Sequence, residues 1–286
     1  MQPKIKHAQI GQTNAFYREA GDRTHPVILL LHGFPSSSHQ YRNLIPLLST
    51  SYWVLAPDLP GFGFTTVPHD FKYTFENLAT FVGDFLDHLH INQFSVYIFD
   101  YGAPTALRLA LQRPSSITAI ISQNGNAYEE GLGGFWDLIK QYWQSSNPRD
   151  REKLRHYMLS YDTTKSQYVT GSADPASIPP ETYLLDYTLL SRPGIGDIQL
   201  DLIGDYKTNL ALYPQFQDYF RSSQVPLLAV WGKDDPIFTP PGAEAFKRDL
   251  PNAEIHLLDA GHFVLETHLE CISDLILKFL QKSLRS

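Results

Sequence analysis

Apolar and polar positions along this chain fall into two alternating rhythms. Short, nearly continuous apolar runs predict β-strands at residues 4–10, 14–19, 27–32, 52–56, 95–99, 117–123, 227–231 and 253–258. Apolar residues spaced three and four apart predict helices at 40–48, 75–89, 103–112, 242–250 and 265–281. The later strands are apolar on both faces, as in a parallel sheet covered by helices on each side. This alternation predicts an α/β fold with a mostly parallel sheet of eight strands flanked by helices. The first two strands have no helix between them and read as an antiparallel hairpin.

The rhythm breaks between residues 126 and 221, where the pattern is helical or irregular and punctuated by Gly131-Leu132-Gly133-Gly134, Pro179-Pro180 and Arg192-Pro193-Gly194. A core in two parts, 1–125 and 222–286, is therefore expected to carry a helical cap at 126–221. Ten of the 16 tyrosines fall in the cap interval (128, 142, 157, 161, 168, 183, 187, 206, 213 and 219). Most read as packing residues between small helices. As a group they also suit an apolar cleft that offers a few hydrogen bonds.

Composition narrows the class. The 286 residues suffice for one large domain or a domain with an insertion, and 43% hydrophobic against 19% charged residues can bury a full core. The net charge of −7, from 23 basic and 30 acidic side chains, argues against electrostatic binding of nucleic acid or an anionic membrane. A small apolar organic substrate remains open. The single cysteine, Cys271, allows no internal disulfide and no cysteine-built metal site. Among Ile272, Leu275, Ile276 and Phe279 it reads as a buried helix residue. Residues 1–12 are polar with scattered charge and do not read as a signal peptide, and no apolar run is long enough to span a membrane. The expectation is a cytoplasmic enzyme that needs no cofactor or metal.

The candidate chemistry starts where the strand at 95–99 runs into Asp100-Tyr101-Gly102 and a helical pattern from Ala103. Such a strand-to-helix turn lifts one side chain above a sheet edge, and serine usually stands there. A carboxylate at that apex is poorly suited to acyl transfer, because the product would be an anhydride. It is well suited to displacing a leaving group from saturated carbon, which leaves an alkyl ester on the enzyme. Taken alone, Asp100 would read as a helix cap or turn residue. Two downstream partners change that reading. His262 follows Asp259-Ala260-Gly261 after the last strand and can serve as a base for water. Asp235, in Trp231-Gly232-Lys233-Asp234-Asp235-Pro236, can orient its ring, with adjacent Asp234 as competitor. All three lie just past predicted strand ends, where parallel sheets build their sites. Leu31-His32-Gly33-Phe34-Pro35 ends an early strand; the Phe34 and Tyr101 N–H groups are the expected oxyanion donors. His32 reads as structural, and the Phe34–Pro35 bond is a candidate cis bond.

These residues resemble the aspartate-nucleophile branch of the α/β-hydrolases: epoxide hydrolases, haloalkane dehalogenases and fluoroacetate dehalogenases. The resemblance runs through His32-Gly33-Phe34-Pro35, Ala56-Pro57-Asp58-Leu59-Pro60-Gly61-Phe62-Gly63, the turn at Asp100, Trp231-Gly232-Lys233-Asp234-Asp235 and Gly261-His262. It implies the α/β-hydrolase fold with an inserted cap. Haloalkane dehalogenases usually place Trp after the nucleophile and often Asn after His-Gly to hold halide; here Tyr101 and Phe34 stand there. Fluoroacetate dehalogenases use Arg at the positions of Tyr101 and Pro104. Epoxide hydrolases share His-Gly-Phe-Pro, though they usually carry Trp in place of Tyr101, so the resemblance is nearest to them. They protonate the epoxide oxygen with one or two cap tyrosines. By resemblance these are Tyr206, in Asp205-Tyr206-Lys207-Thr208-Asn209, and Tyr142, in Gln141-Tyr142-Trp143-Gln144. The runner-up is a dehalogenase with halide held by Trp136 or Trp143. A non-catalytic binding protein on the same fold is the third reading, and the intact Asp-Asp-His set argues against it.

Overall fold

The computed structural model describes residues 2–284. Its strands are β1 (Lys4–Ile10), β2 (Thr13–Ala20), β3 (Val27–Leu31), β4 (Trp53–Pro57), β5 (Phe94–Phe99), β6 (Ile117–Gln123), β7 (Leu227–Gly232) and β8 (Glu254–Leu258). They form one eight-stranded sheet in the order β1-β2-β4-β3-β5-β6-β7-β8. β2 runs antiparallel to β1 and to β4, and the other neighbouring pairs are parallel. β5, the strand that carries Asp100, therefore lies in the middle, and all six of its residues are buried.

Two apolar layers cover the sheet, and strand alternation decides which residue joins which. Ile28, Leu30, Tyr97, Phe99, Leu228 and Val230 pack under α1 (Leu44–Leu48) and α11 (Leu269–Ser283). Leu29, Leu31, Val96, Ile98, Ala229 and Trp231 pack under α2 (Phe75–His88), α3 (Gly102–Gln112) and α10 (Pro240–Asp249). Each fully buried Leu or Phe contributes about 1.5–3 kcal/mol of apolar transfer.

Between β6 and β7 the chain forms α4 (Asp137–Ser145), α5 (Pro148–Met158), α6 (Tyr161–Val169), α7 (Pro180–Leu190), α8 (Ile195–Asp205) and α9 (Lys207–Ser223), with no strand among them. This helical segment rests on the loop after β4. Gln199 donates to the Gly61 carbonyl at 2.9 Å, and Arg192 donates to that of Gly63 at 2.7 Å. Its buried Trp136, Leu200, Tyr206, Tyr213 and Phe216 belong to the same apolar cluster as α2 and α3. No helix among the described residues is long and apolar enough to cross a membrane.

Three expectations need correction. The helix expected over 40–48 is a 3-10 turn at Ser38–Tyr41 followed by α1. Pro46 has no N–H to give Arg42, so a continuous helix cannot pass through it, while the first turn of α1 tolerates it. The helix expected over 265–281 likewise splits into a 3-10 turn, Val264–Glu266, and α11. Cys271 is exposed rather than buried. The buried stripe of α11 is Ile272, Ser273, Ile276, Phe279 and Leu280, and Cys271 falls one position off it.

Candidate active site

The turn after β5 is tight. Asp100 has φ +48°, in the left-handed region, and α3 begins two residues later at Gly102. Two glycines make room for it. A Cβ on Gly102 would lie 2.2 Å from the Leu31 carbonyl oxygen, and one on Gly33 would lie 2.2 Å from Asp100 Oδ1. The loop after β3 thus passes against the Asp100 carboxylate with only backbone between them. The Phe34–Pro35 bond in that loop is cis.

This approach brings backbone donors to the carboxylate. The Phe34 N–H donates to Asp100 Oδ1 at 2.7 Å, and the Tyr101 N–H also faces the carboxylate. Asp100 Oδ2 lies 3.8 Å from His262 Nε2, too far for a hydrogen bond. Asp100 is 5% exposed. Burial pushes its carboxyl up to about 6; the His262 charge and the two N–H donors restrain that rise.

His262 is fully buried after β8, and Asp235 Oδ2 accepts from its Nδ1 at 2.8 Å. An ionised carboxylate can only accept, so Nδ1 carries the proton and the neutral ring leaves Nε2 as a base toward Asp100. Burial works against the charged ring, but the Asp235 charge and hydrogen bond and the Asp100 charge outweigh it, and His262 titrates above its ordinary value. Asp235 is itself fixed by the Ile237 N–H at 2.7 Å and the Asn124 side-chain amide at 2.6 Å. Adjacent Asp234 is exposed, so Asp235 is the acid that reaches the ring. His32 is buried and braces the loop: its Nε2 accepts from the Leu59 N–H at 2.9 Å, and its Nδ1 lies 3.2 Å from the Gly33 carbonyl.

Aromatic rings close the space above Asp100. Tyr206 is fully buried, with its ring centroid 5.7 Å from Tyr101, 5.3 Å from Phe75 and 4.5 Å from Trp136, and stacked on Trp143 at 6.3 Å. Its hydroxyl makes no hydrogen bond of normal geometry; the Tyr213 hydroxyl is its nearest polar neighbour, and the Asp100 charge acts on it. Burial first, and Tyr213 second, hold its phenol well above the usual range. The Trp136 indole N–H is committed to the Ile237 carbonyl at 3.0 Å, and that of Trp143 to the Ile203 carbonyl at 2.7 Å. Tyr142 is not brought to the cluster. Its hydroxyl accepts a long 3.5 Å bond from Arg151 and lines an outer cleft of about 580 Å³ with Lys72, Asp201 and Lys207. Trp143, one position along α4, lines the same cleft and also stacks on Tyr206.

Two residues escaped the sequence reading. Asn124, at φ +48° just past β6, bridges Asp235 and the Gly232 N–H. Gln123 donates to the His262 carbonyl at 2.9 Å and accepts from the Tyr97 hydroxyl at 2.6 Å. Their position at a strand end beside the site was the available signal. Among the described residues no group of three or more His, Cys, Asp or Glu is arranged to hold a metal ion.

Known proteins share this architecture. A family model described as alpha/beta hydrolase fold matches residues 26–269. An uncharacterised hydrolase of Saccharomyces cerevisiae is 47% identical over 271 residues, covering 94% of this chain and 93% of that protein. Haloalkane dehalogenase 2 of Mycobacterium tuberculosis is 34% identical over 262 residues, covering 85% of this chain and 84% of that protein. A Pseudomonas aeruginosa structure provisionally described as an epoxide hydrolase superposes with a TM-score of 0.79 at 18% identity, covering 99% of this chain and 97% of that one. At that identity the superposition speaks to fold alone. The match over most of the chain and the identity to these relatives make this protein a hydrolase of the α/β-hydrolase fold family.

Proposed function

We propose that this hydrolase opens epoxides to diols through a covalent ester on Asp100. Asp100 Oδ2 attacks a ring carbon, and the carbon–oxygen bond to that carbon breaks. The epoxide oxygen takes the Tyr206 hydroxyl proton, so the product is a hydroxyalkyl ester. Oδ1, which accepts the Phe34 N–H, becomes the ester carbonyl oxygen, with the Tyr101 N–H also facing the carboxyl group. In the second step His262 Nε2 takes a proton from water, which attacks the ester carbonyl carbon. Charge develops on Oδ1, to which the Phe34 N–H already donates, and the Tyr101 N–H is the second donor of the proposed oxyanion hole. Collapse breaks the ester bond to the alkoxide, which takes the proton still carried by the attacking oxygen and leaves as the diol, so Asp100 returns to carboxylate; the proton on His262 then restores the Tyr206 hydroxyl. Asp235 stabilises the imidazolium in between. The helical segment at 126–221 serves as the cap that excludes water from the first step and supplies the acid.

The observation that carries this reading is the buried Tyr206 hydroxyl, which feels the Asp100 charge and makes no hydrogen bond of normal geometry. An alkoxide is a poor leaving group and needs such a donor; halide does not. The similarity to a mycobacterial haloalkane dehalogenase favours a second reading, release of halide by the same two steps. Against it, both indole N–H groups expected to hold halide already donate to backbone carbonyls.

The test is intact mass of His262→Gln after incubation with styrene oxide and, separately, with 1-bromobutane. The expected outcome is a mass increase equal to the epoxide, mapped to Asp100, with diol and no halide released by the native enzyme. An adduct with the bromoalkane alone reverses the order of the two readings, and no adduct with either defeats both.

A further inference from the structure

Tyr206 stands on the single residue between α8 and α9, and side chains on both sides of it are tied to the core. On one side Asp205 Oδ2 accepts the Phe75 backbone N–H at 2.8 Å, so a cap residue caps the first turn of core helix α2. On the other side Arg108 reaches up from α3. Its Nε donates to Asn209 Oδ1 at 2.8 Å, one terminal nitrogen to Thr208 Oγ1 at 2.6 Å, and the other to Glu76 Oε2 at 2.9 Å. Arg108 and Asn209 are both buried, while Glu76 is more than half exposed. α3 is the helix that starts at the Asp100 turn. Arg108 is thus one rigid helix away from the carboxylate and two residues away from the phenol.

From this geometry we infer that Arg108 is a positioning residue, which fixes the Tyr206 hydroxyl relative to Asp100 by clamping the start of α9 onto α3. The inference rests on the epoxide reading above, since it assigns Arg108 to the step in which Tyr206 gives up its proton. A guanidinium suits the task because its planar fork meets three acceptors from fixed directions, which an ammonium cannot do. The clamp is also hard to replace. If Arg108 is lost, the buried Asn209 Oδ1 loses its guanidinium donor, and Asp205 remains as the side-chain hydrogen bond to the core next to Tyr206. Displacing a reacting group by about 1 Å can cost about 10²-fold in rate. The ester-hydrolysis step uses Oδ1, the two backbone donors, His262 and Asp235, none of which touches the clamp.

The discriminating experiment separates the two steps. In His262→Gln, ester formation with styrene oxide is followed by intact mass, with and without Arg108→Gln, in Tyr206 and Tyr206→Phe backgrounds. In enzyme with His262 intact, single-turnover diol release reads the second step. Arg108→Gln is expected to slow ester formation about ten- to a hundredfold when Tyr206 is present. It should slow it less than about twofold when Tyr206 is already Phe, and it should leave diol release from formed ester unchanged. Thr208→Val removes one arm of the clamp at almost constant volume and should slow the same step to a smaller degree, which provides a test if Arg108→Gln does not fold. Equal losses with and without Tyr206, slowed diol release, or an unchanged rate of ester formation would overturn the assignment of Arg108 and leave the epoxide reading standing. No ester with His262→Gln alone would overturn both.

Discussion

At the scale of single residues, the decisive group is one carboxylate held where a carboxylate is uncomfortable. Burial raises Asp100 from its ordinary 3.8 to about 6. The folded pKa lies above the unfolded one, so the folded protein binds this proton more tightly. The penalty for ionised Asp100 is absent below about pH 4, grows as pH rises to about 6, and is complete above that. About two units correspond to about 3 kcal/mol at neutral pH. Asp100→Asn should therefore abolish turnover while stabilising the protein by about 1–3 kcal/mol at pH 7. Thermal melts at pH 7 and pH 4 check this, with the gain shrinking at the lower pH. Under the proposed mechanism the same titration sets activity: attack needs the carboxylate, and hydrolysis needs neutral His262, which titrates above its ordinary value. Ester formation should fall as pH drops through about 6, with turnover falling already at a higher pH, and a rate that rises toward acid would exclude Asp100 as nucleophile. Tyr206→Phe should lower the rate of epoxide opening about 10²–10⁴-fold and leave ester hydrolysis largely intact, measured by rapid quench.

At the scale of elements, the site depends on strands that end at one edge and turns that have no side chains in the way. The Gly33 and Gly102 contacts show the tolerance: a methyl at either would occupy the space of Asp100 or of the β3 backbone. Gly102→Ala is expected to destabilise by several kcal/mol through overpacking at the α3–β3 contact, read by urea denaturation; a loss under 1 kcal/mol would show that the turn can relax. The helical patterns show where local rules run out. Periodicity located α2 and α3 closely, because each buries a continuous apolar stripe. It joined the 3-10 turn at Ser38–Tyr41 to α1, because Tyr41, Leu44, Ile45 and Leu48 do share one buried face even though Pro46 interrupts the hydrogen-bond ladder. It buried Cys271 on the strength of apolar neighbours, when a shift of one position on a helix turns a side chain by about 100°.

At the scale of the molecule, the helical segment packs into both apolar layers that cover the sheet. Trp136, Tyr206 and Phe216 join Phe75, Tyr101 and Leu107, and Tyr168, Ile178 and Tyr183 join Phe99 and Phe263. Arg108, Gln199 and Arg192 add polar ties across the seam. The helical segment and the sheet are therefore expected to unfold together. Native-state hydrogen exchange should give α8 and α9 opening energies close to those of β5 and α3, whereas a cap that opens several kcal/mol more easily would mean independent units.

The sequence by itself determined the order of strands and helices, the aspartate at the turn, the histidine after the last strand and the region that leaves the sheet. These follow from local patterns: period 2 or 3.6 in hydrophobicity, glycines where backbone must pass closely, and polar residues at strand ends. The candidacy of Asp100 was equally legible, because a carboxylate at a strand-to-helix turn, with an acid and a histidine downstream, forms a recognisable set. Only the tertiary structure shows that Asp235 and not Asp234 bonds His262, that Tyr206 packs against Tyr101 while the Tyr142 hydroxyl goes to Arg151, and what the indoles of Trp136 and Trp143 bind. Each of these choices turns on the direction of a side chain. On adjacent residues that direction is fixed by which face of an element meets the rest of the molecule. The clamp from Arg108 to Thr208 and Asn209 spans about a hundred residues of chain, and no local pattern could have shown it.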